Sequence, residues 1–205
     1  MKLNIWFLLW IFVACFILGT SFWSLSILAR QKKSWEIVSK NNHLQYSSAA
    51  VFKSPVIRGN FNSVPIEIFS DVQISGGARD KSQRTIIQMT LKGPMLCEGA
   101  IASMPFKHFI DGLQLPDTLS DDASLGIIKE IYIRLQNREV IKPYFTKERV
   151  QALNALLNIK NMPALIIFGS RDTVLRIESA DPFDNPERFQ KFLTKATEAA
   201  KIISI

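Results

Sequence analysis

The sequence predicts an α+β fold: an N-terminal transmembrane helix, then one domain of mostly antiparallel sheet with a C-terminal helix. Three observations predict it. An uncharged apolar run extends from Leu3 to Ala29, strand-type alternation fills residues 55–101, and a helical apolar stripe follows Asn185. The chain therefore divides into a transmembrane anchor with a basic collar, residues 1–33, and a soluble domain, residues 34–205.

The N-terminal run is long enough to form a membrane span, which needs about 20 apolar residues. Lys2 precedes the run, and a basic collar formed by Arg30, Lys32 and Lys33 follows it. Tryptophan and basic side chains favour the boundary between lipid and water. The residues predicted to lie at the membrane interface are Trp6, Trp10, Trp23, Arg30, Lys32, Lys33 and Trp35.

Three other interpretations of this run fit less well. A cleaved signal peptide has a shorter apolar core, of about 7–15 residues, and small residues before the cut, where this chain has Ile27. Lipidation at Cys15 would leave a long apolar segment that an acylated terminus does not need. A buried core helix would normally show a polar stripe, and the run has none.

Basic residues near the end of a span favour the cytoplasmic side. Arg30, Lys32 and Lys33 follow the run, whereas Lys2 alone precedes it. The sequence thus predicts a single-pass protein of the cell (inner) membrane, with its C-terminal domain in the cytoplasm and the lipid bilayer as its first partner.

The net charge of +7 is concentrated near the anchor. Residues 1–33 hold four basic and no acidic residues, which leaves 21 basic and 18 acidic residues in the rest of the chain. A balance of +3 over residues 34–205 is that of an ordinary solvated surface. Nucleic acid is therefore not an expected partner.

The two cysteines cannot form a disulfide within the soluble domain, because Cys15 lies in the apolar run and only Cys97 lies beyond it. This favours a reducing compartment. We interpret Cys97, between Leu96 and Glu98, as a small packing residue.

The sequence of the first half of the domain predicts a short helix followed by a β-meander. A juxtamembrane helix from Ser34 is expected to end at Asn41-Asn42. Alternation and turn residues then predict three or four consecutive strands. These are residues 55–61, 64–74, 85–91 and 95–101, with a polar glycine-bearing hairpin loop at 75–82.

The second half predicts one more strand, two helices and a hairpin. Thr146 is a plausible N-cap for a helix to about Asn158, and Asn185 with Pro186 opens the final helix. The remaining expectations are a short cover at 106–113, a polar loop at 115–124, a strand at 128–135 and a hairpin at 165–177. A split, PH-like barrel closed by the last helix is one arrangement compatible with this order.

Several segments resemble a loosely defined group of bacterial membrane-anchored proteins of unknown function. A short helix leads to Leu44-Gln45-Tyr46, followed by the Pro55–Phe61 and Val64–Ile68 segments, the helix start at Tyr144-Phe145-Thr146, and the late hairpin and helix. The resemblance spans much of residues 34–205 and implies this architecture. It implies no catalytic residues.

Catalytic signatures are scarce. The only histidines are His43, expected at a helix end, and His108, and the chain has no HExxH, CxxC or phosphate-loop motif. One acidic set is the only cluster that could hold a hard cation, although its spacing does not match a calcium loop: Asp111, Asp117, Asp121, Asp122 and Glu130. We interpret the Asp121-Asp122 pair within it as part of a solvated loop. One basic set is interpreted as a solvated hairpin tip, with contact to anionic lipid or to an acidic partner as the alternative: Arg79, Lys81 and Arg84.

Two functions remain open. The favoured hypothesis is a non-enzymatic subunit, scaffold or assembly factor that binds another protein in or at the membrane, with no cofactor or metal. The alternative is a membrane-tethered hydrolase that uses carboxylates for acid–base chemistry, built around Asp111, Asp117, Asp121 or Asp122.

Overall fold

The computed structural model describes residues 5–48, 53–74, 81–92, 97–113, 115, 117–118, 131–169 and 171–204. The helices are α1 (Ile5–Asn41), α2 (Lys107–Gly112), α3 (Arg138–Ile141), α4 (Lys147–Leu157) and α5 (Pro186–Ile203), with short 3-10 turns at Met104–Phe106 and Lys142–Tyr144. The strands are β1 (Gln45–Ser47), β2 (Val56–Phe61), β3 (Val64–Ile74), β4 (Lys81–Leu91), β5 (Gly99–Ser103), β6 (Asp117–Thr118), β7 (Ile131–Leu135), β8 (Ala164–Phe168) and β9 (Thr173–Ser179). This confirms the α+β class.

Helix α1 joins the apolar run and the predicted juxtamembrane helix in one uninterrupted element. It ends where the sequence predicted, because the backbone turns out of the helix at His43 with a φ of 55°. The N–H of Leu44 donates to the carbonyl of Ser39 at 2.9 Å, and that of His43 to Lys40 at 3.4 Å. This is a Schellman C-cap, with a histidine in the left-handed position usually taken by glycine.

The described strands form one antiparallel sheet in the order β1-β2-β3-β4-β9-β8-β5-β7-β6. The predicted meander of three or four strands is confirmed for β2, β3 and β4, whereas the segment considered as its fourth strand forms β5 elsewhere in the sheet. Strand β5 does not pair with β4 and lies instead between β7 and β8. All five residues of β5 are buried, which suits an interior position covered on both faces.

The main core lies on the sheet face that carries Ile68 and Ile87. The end of α1 packs there together with α4 and α5, and the most deeply buried aromatics include Trp35 and Phe189. A smaller cluster on the opposite side joins Ile110 of α2 to β5 and β8. The sheet is therefore a central layer with most of its helical cover on one side.

Both predicted helix starts are confirmed. The Thr146 side chain accepts a hydrogen bond from the Arg149 N–H at 3.4 Å, and the Asn185 side chain accepts one from the Arg188 N–H at 2.9 Å. Each cap satisfies a backbone donor that the first turn leaves free.

Tyr144 secures the C-terminal end of α5. Its buried hydroxyl donates to the Ile203 carbonyl at 2.6 Å, and burial raises the pKa of Tyr144. Arg149 donates to the Ile202 carbonyl at 3.3 Å and to the Ser204 carbonyl at 3.2 Å. These bonds satisfy carbonyls that the last turn of a helix leaves unpaired.

We expect Tyr144→Phe to lower the free energy of unfolding by about 1–2 kcal/mol at neutral pH, because the Ile203 carbonyl loses a buried donor. Since the folded-state pKa is raised, Tyr144 stabilises the fold fully below its unfolded pKa of about 10 and loses that contribution as pH rises further. Urea titrations of both proteins between neutral pH and pH values above about 10 test this. The wild type should fall more steeply than the variant at high pH; parallel curves would contradict the prediction.

Candidate functional site

The candidate site is the end of the domain at which α1 passes from an exposed apolar rod into the core. Its side chains are exposed through Leu25 and first become buried at Gln31. Three side-chain contacts fix it there: Arg30 with Asp184 at 3.2 Å, Gln31 with Ser70 at 3.3 Å, and the Trp35 indole N–H with the Pro182 carbonyl at 3.0 Å. The helix is thereby attached to β3 and to the segment before α5.

That segment, residues 180–185, is itself held in place. The Thr85 hydroxyl donates to the Asp181 carbonyl at 2.9 Å, and the Asp181 carboxylate accepts from the Phe183 N–H at 2.8 Å. Phe183 is buried with a φ of 54°, in the left-handed region that bulky residues rarely adopt. The fold thus maintains an unfavourable backbone conformation at the point where α1, β4 and α5 meet.

An aromatic cluster fills the space behind these contacts. The ring centroids of Trp35 and Phe189 are 5.6 Å apart, and those of Phe183 and Phe189 are 4.8 Å apart. Trp35 has no exposed surface. It therefore packs inside the domain, which corrects its sequence-based assignment to the membrane interface. The position of Trp35 on the buried side of α1 places its indole against the apolar stripe of α5.

The other residues assigned to the interface lie along α1. Trp6, Trp10 and Trp23 are exposed on the apolar part of α1, and Lys33 is exposed on its basic collar. Lys32 is partly buried, and its carbonyl accepts from the Tyr46 hydroxyl at 3.4 Å. The collar is therefore part of the domain surface as well as the end of the apolar run.

A cavity of about 260 Å³ lies between α1 and the β3–β4 hairpin. Ser24, Ile27 and Leu28 line it on the helix side. Ser70 and Gln83 line it on the hairpin side. The cavity shows that the hairpin continues alongside α1 past the Gln31–Ser70 contact, toward the apolar run.

The residues considered for catalysis do not form a reactive centre among the parts of the chain that the structure describes. Asp111 forms an ion pair with Arg134 at 3.1 Å, and Asp117 lies in the short strand β6. Asp121, Asp122 and Glu130 fall outside the described residues, as does Arg79. No group of three or more potential metal ligands occurs within the described ranges.

The two histidines and Cys97 have no shared site. His43 is exposed at the α1 C-cap, and His108 is exposed on α2. The Cys97 thiol is buried and lies 3.6 Å from the Asn137 carbonyl, as expected for a packing residue.

A second cavity of about 310 Å³ is bordered by Met104 and the 157–163 segment.

The sequence could not reveal several residues of the junction. Ser70, Thr85 and Pro182 are separated in the chain, and all three act through a neutral hydroxyl or a backbone carbonyl. Such groups carry no motif and no charge pattern. Only the pairing of β3, β4 and β9, which places these positions side by side, brings them to α1.

Comparison with known proteins gives no further assignment. Neither a protein-family model nor a curated protein matches this chain.

Proposed function

We propose that the chain is a single-pass membrane protein whose α+β domain acts as a non-enzymatic subunit, scaffold or assembly factor for a protein in or at the membrane. The observation that carries the proposal is the continuity of α1. One helix begins as an exposed apolar rod and ends, from Gln31 to Ser39, inside the folded domain. A rigid connection of this kind suits a protein that presents a surface at a set distance from the bilayer.

The exposed part of α1 needs a cover. The helix is long and apolar enough to cross a membrane, and none of its most apolar stretch is buried by the described domain. Its side chains between Ile5 and Leu25 include phenylalanine, leucine and tryptophan at high exposure. Water contact over such an area is strongly unfavourable, at roughly 25 cal/mol for each Å². A bilayer supplies the cover without any partner protein.

The continuity of α1 also supports an uncleaved anchor. Cleavage after Ala29 would cut α1 inside a regular helix, immediately before Arg30 and Gln31. Both residues then contact the domain, through Asp184 and Ser70. Ile27 and Leu28, which cleavage would remove, are partly buried and line the cavity between α1 and the β3–β4 hairpin, so the segment before the cut also packs on the domain.

We further propose that the domain faces the cytoplasm from the inner membrane, since Arg30, Lys32 and Lys33 follow the span. The PH-like arrangement stays a prediction, supported by the packing of the C-terminal helix α5 across β3 and β4. The resemblance to bacterial membrane-anchored proteins agrees with an anchored α+β domain.

The anchor is testable with the full chain in cells. We expect the protein to stay in the membrane pellet after carbonate extraction and to keep its original N-terminus. Val140→Cys, with Cys15 replaced by alanine, places an exposed thiol on α3. A membrane-impermeant maleimide should label it only after permeabilisation. A mature terminus beyond Ala29 would refute the anchor, and labelling of intact cells would refute the orientation.

The partner is testable by purification in mild detergent followed by mass spectrometry. A protein recovered in stoichiometric amount, and still recovered after the carboxylates of Asp111 and Asp117 are changed to amides, supports a scaffold or subunit. An isolated monomer that carries a metal ion, or that loses a hydrolytic activity in the same variants, supports the carboxylate-dependent hydrolase instead.

A further inference from the structure

We propose that the distal end of the β3–β4 hairpin is a second membrane contact, resting on the lipid headgroups beside α1. The described residues of this contact are Val72 of β3 with Gln83 and Arg84 of β4. The inference rests on the proposed membrane span. It adds that the domain is fixed to the bilayer at two points, and therefore in one orientation.

Contacts with α1 give the direction of the hairpin. Tyr46 of β1 is opposite Ile57 of β2, which is opposite Ile68 of β3. The Tyr46 hydroxyl donates to the Lys32 carbonyl, so Lys32 of α1 lies level with Ile68. Two residues further along β3, Ser70 contacts Gln31. One step beyond, the level of Val72 and Gln83 borders the cavity whose helix side includes Leu28 and Ser24. Strand β3 thus advances toward the N-terminal, apolar part of α1.

Lengths along the two elements show how far the hairpin reaches. Beyond Ser70, β3 continues to Ile74, a distance of about 13 Å at the usual strand rise. Along α1, about 12 Å back from Gln31 corresponds to Trp23. The described end of the hairpin therefore passes the border between the basic collar and the apolar run and reaches the level of Trp23, which the sequence assigns to the membrane interface.

The face of β3 that packs on the core changes character along this path. Ile66 and Ile68 are buried, Ser70 is partly buried, and Val72 is 54% exposed. These residues alternate on one side of the strand. An apolar side chain thus loses its protein cover just where the strand reaches the level of the collar, which is the pattern expected if lipid supplies the cover.

The charges at the hairpin end suit phosphate. Arg84 is cationic, and its Nε is buried without a hydrogen-bond partner among the described residues. The facing anion is Asp71, which is opposite Arg84 in the pairing of β3 with β4. Asp71 is exposed, and its carboxylate accepts from the Val72 N–H at 2.8 Å instead of pairing with Arg84. The guanidinium is left available for a lipid phosphate.

The experiment places a fluorescent probe on the full chain in lipid nanodiscs, using Cys15→Ala protein with Val72→Cys. Val140→Cys is the matched control, because α3 follows the end of β7 that lies opposite the hairpin end. Brominated phosphatidylcholine should quench the probe at position 72 and leave the one at position 140 unchanged. Brominated phosphatidylglycerol should quench position 72 more strongly, and Arg84→Gln should reduce that preference by up to about fivefold.

Three outcomes would count against a contact between the hairpin end and the lipid headgroups. Equal quenching at positions 72 and 140 would overturn the proposal. A probe at position 72 shielded from both brominated lipid and aqueous iodide would also overturn it and would point to a protein cover. Failure of the parent protein to enter nanodiscs would refute the span itself, so that a wrong anchor and a wrong hairpin contact are distinguished.

Discussion

Leu193→Asp is expected to unfold the α+β domain. Leu193 is fully buried on the face of α5 that packs against the sheet and the end of α1. A carboxylate at this position would be removed from water without a partner, at a cost of several kcal/mol. The free energy of unfolding of a typical domain is only about 5–15 kcal/mol, so one such change removes a large part of it.

Lys195→Asp is the matched control, because it adds the same carboxylate two residues away on the exposed side of α5. The measurement is near-ultraviolet circular dichroism of the full chain in detergent during heating, together with limited proteolysis. We expect Leu193→Asp to lose its tertiary signal and become protease-sensitive, whereas Lys195→Asp melts close to the wild type. Similar melting of both variants would contradict the assignment of α5 to the core.

The predictable parts of this fold are those fixed by local chemistry. Thr146 and Asn185 cap the helices that they were expected to cap, because a side-chain oxygen at that position satisfies a nearby backbone donor. The β8–β9 hairpin and the α1 terminus at Asn41 follow from turn residues and alternation in the same way. Each of these caps, turns and termini depends on residues only a few positions apart in the chain.

Strand order was not predictable by these means. The residues of β5 were expected to continue the meander, yet they pair with β7 and β8, while β9 takes the place beside β4. Alternation specifies which face of a strand is buried and does not specify which strand lies next to it. The small residues Gly99, Ala100 and Ala102 are compatible with the buried interior strand that they form. From the sequence alone, such a short apolar run does not distinguish an interior strand from other buried segments.

The candidate site was partly predictable for a similar reason. Composition identified the apolar run and the basic collar, but it could not separate a tryptophan that faces lipid from one that faces a protein core. Trp23 and Trp35 stand in the same helix with basic residues between them. Only the packing of α5 and of the 180–185 segment distinguishes them.

Trp35→Ala is therefore expected to destabilise the domain strongly, by about 3–5 kcal/mol, as for other fully buried large aromatics. The variant loses the contact with Phe189 and leaves the Pro182 carbonyl without the indole donor. Trp35→Phe keeps a ring in the cluster and removes only that hydrogen bond, so its cost should be nearer 1 kcal/mol.

Trp23→Ala is the control that separates the two roles, since Trp23 is exposed on the apolar part of the same helix. In urea titrations of the full chain in detergent, this variant should unfold within about 0.5 kcal/mol of the wild type. Because α1 joins the domain through Trp35, Gln31 and Arg30, Trp35→Ala should also expose the 180–185 segment to protease before the remainder of the domain. If Trp35→Ala and Trp23→Ala shift the unfolding midpoint equally, the indole does not connect span and domain. The continuity of α1 would then no longer support a rigid anchor.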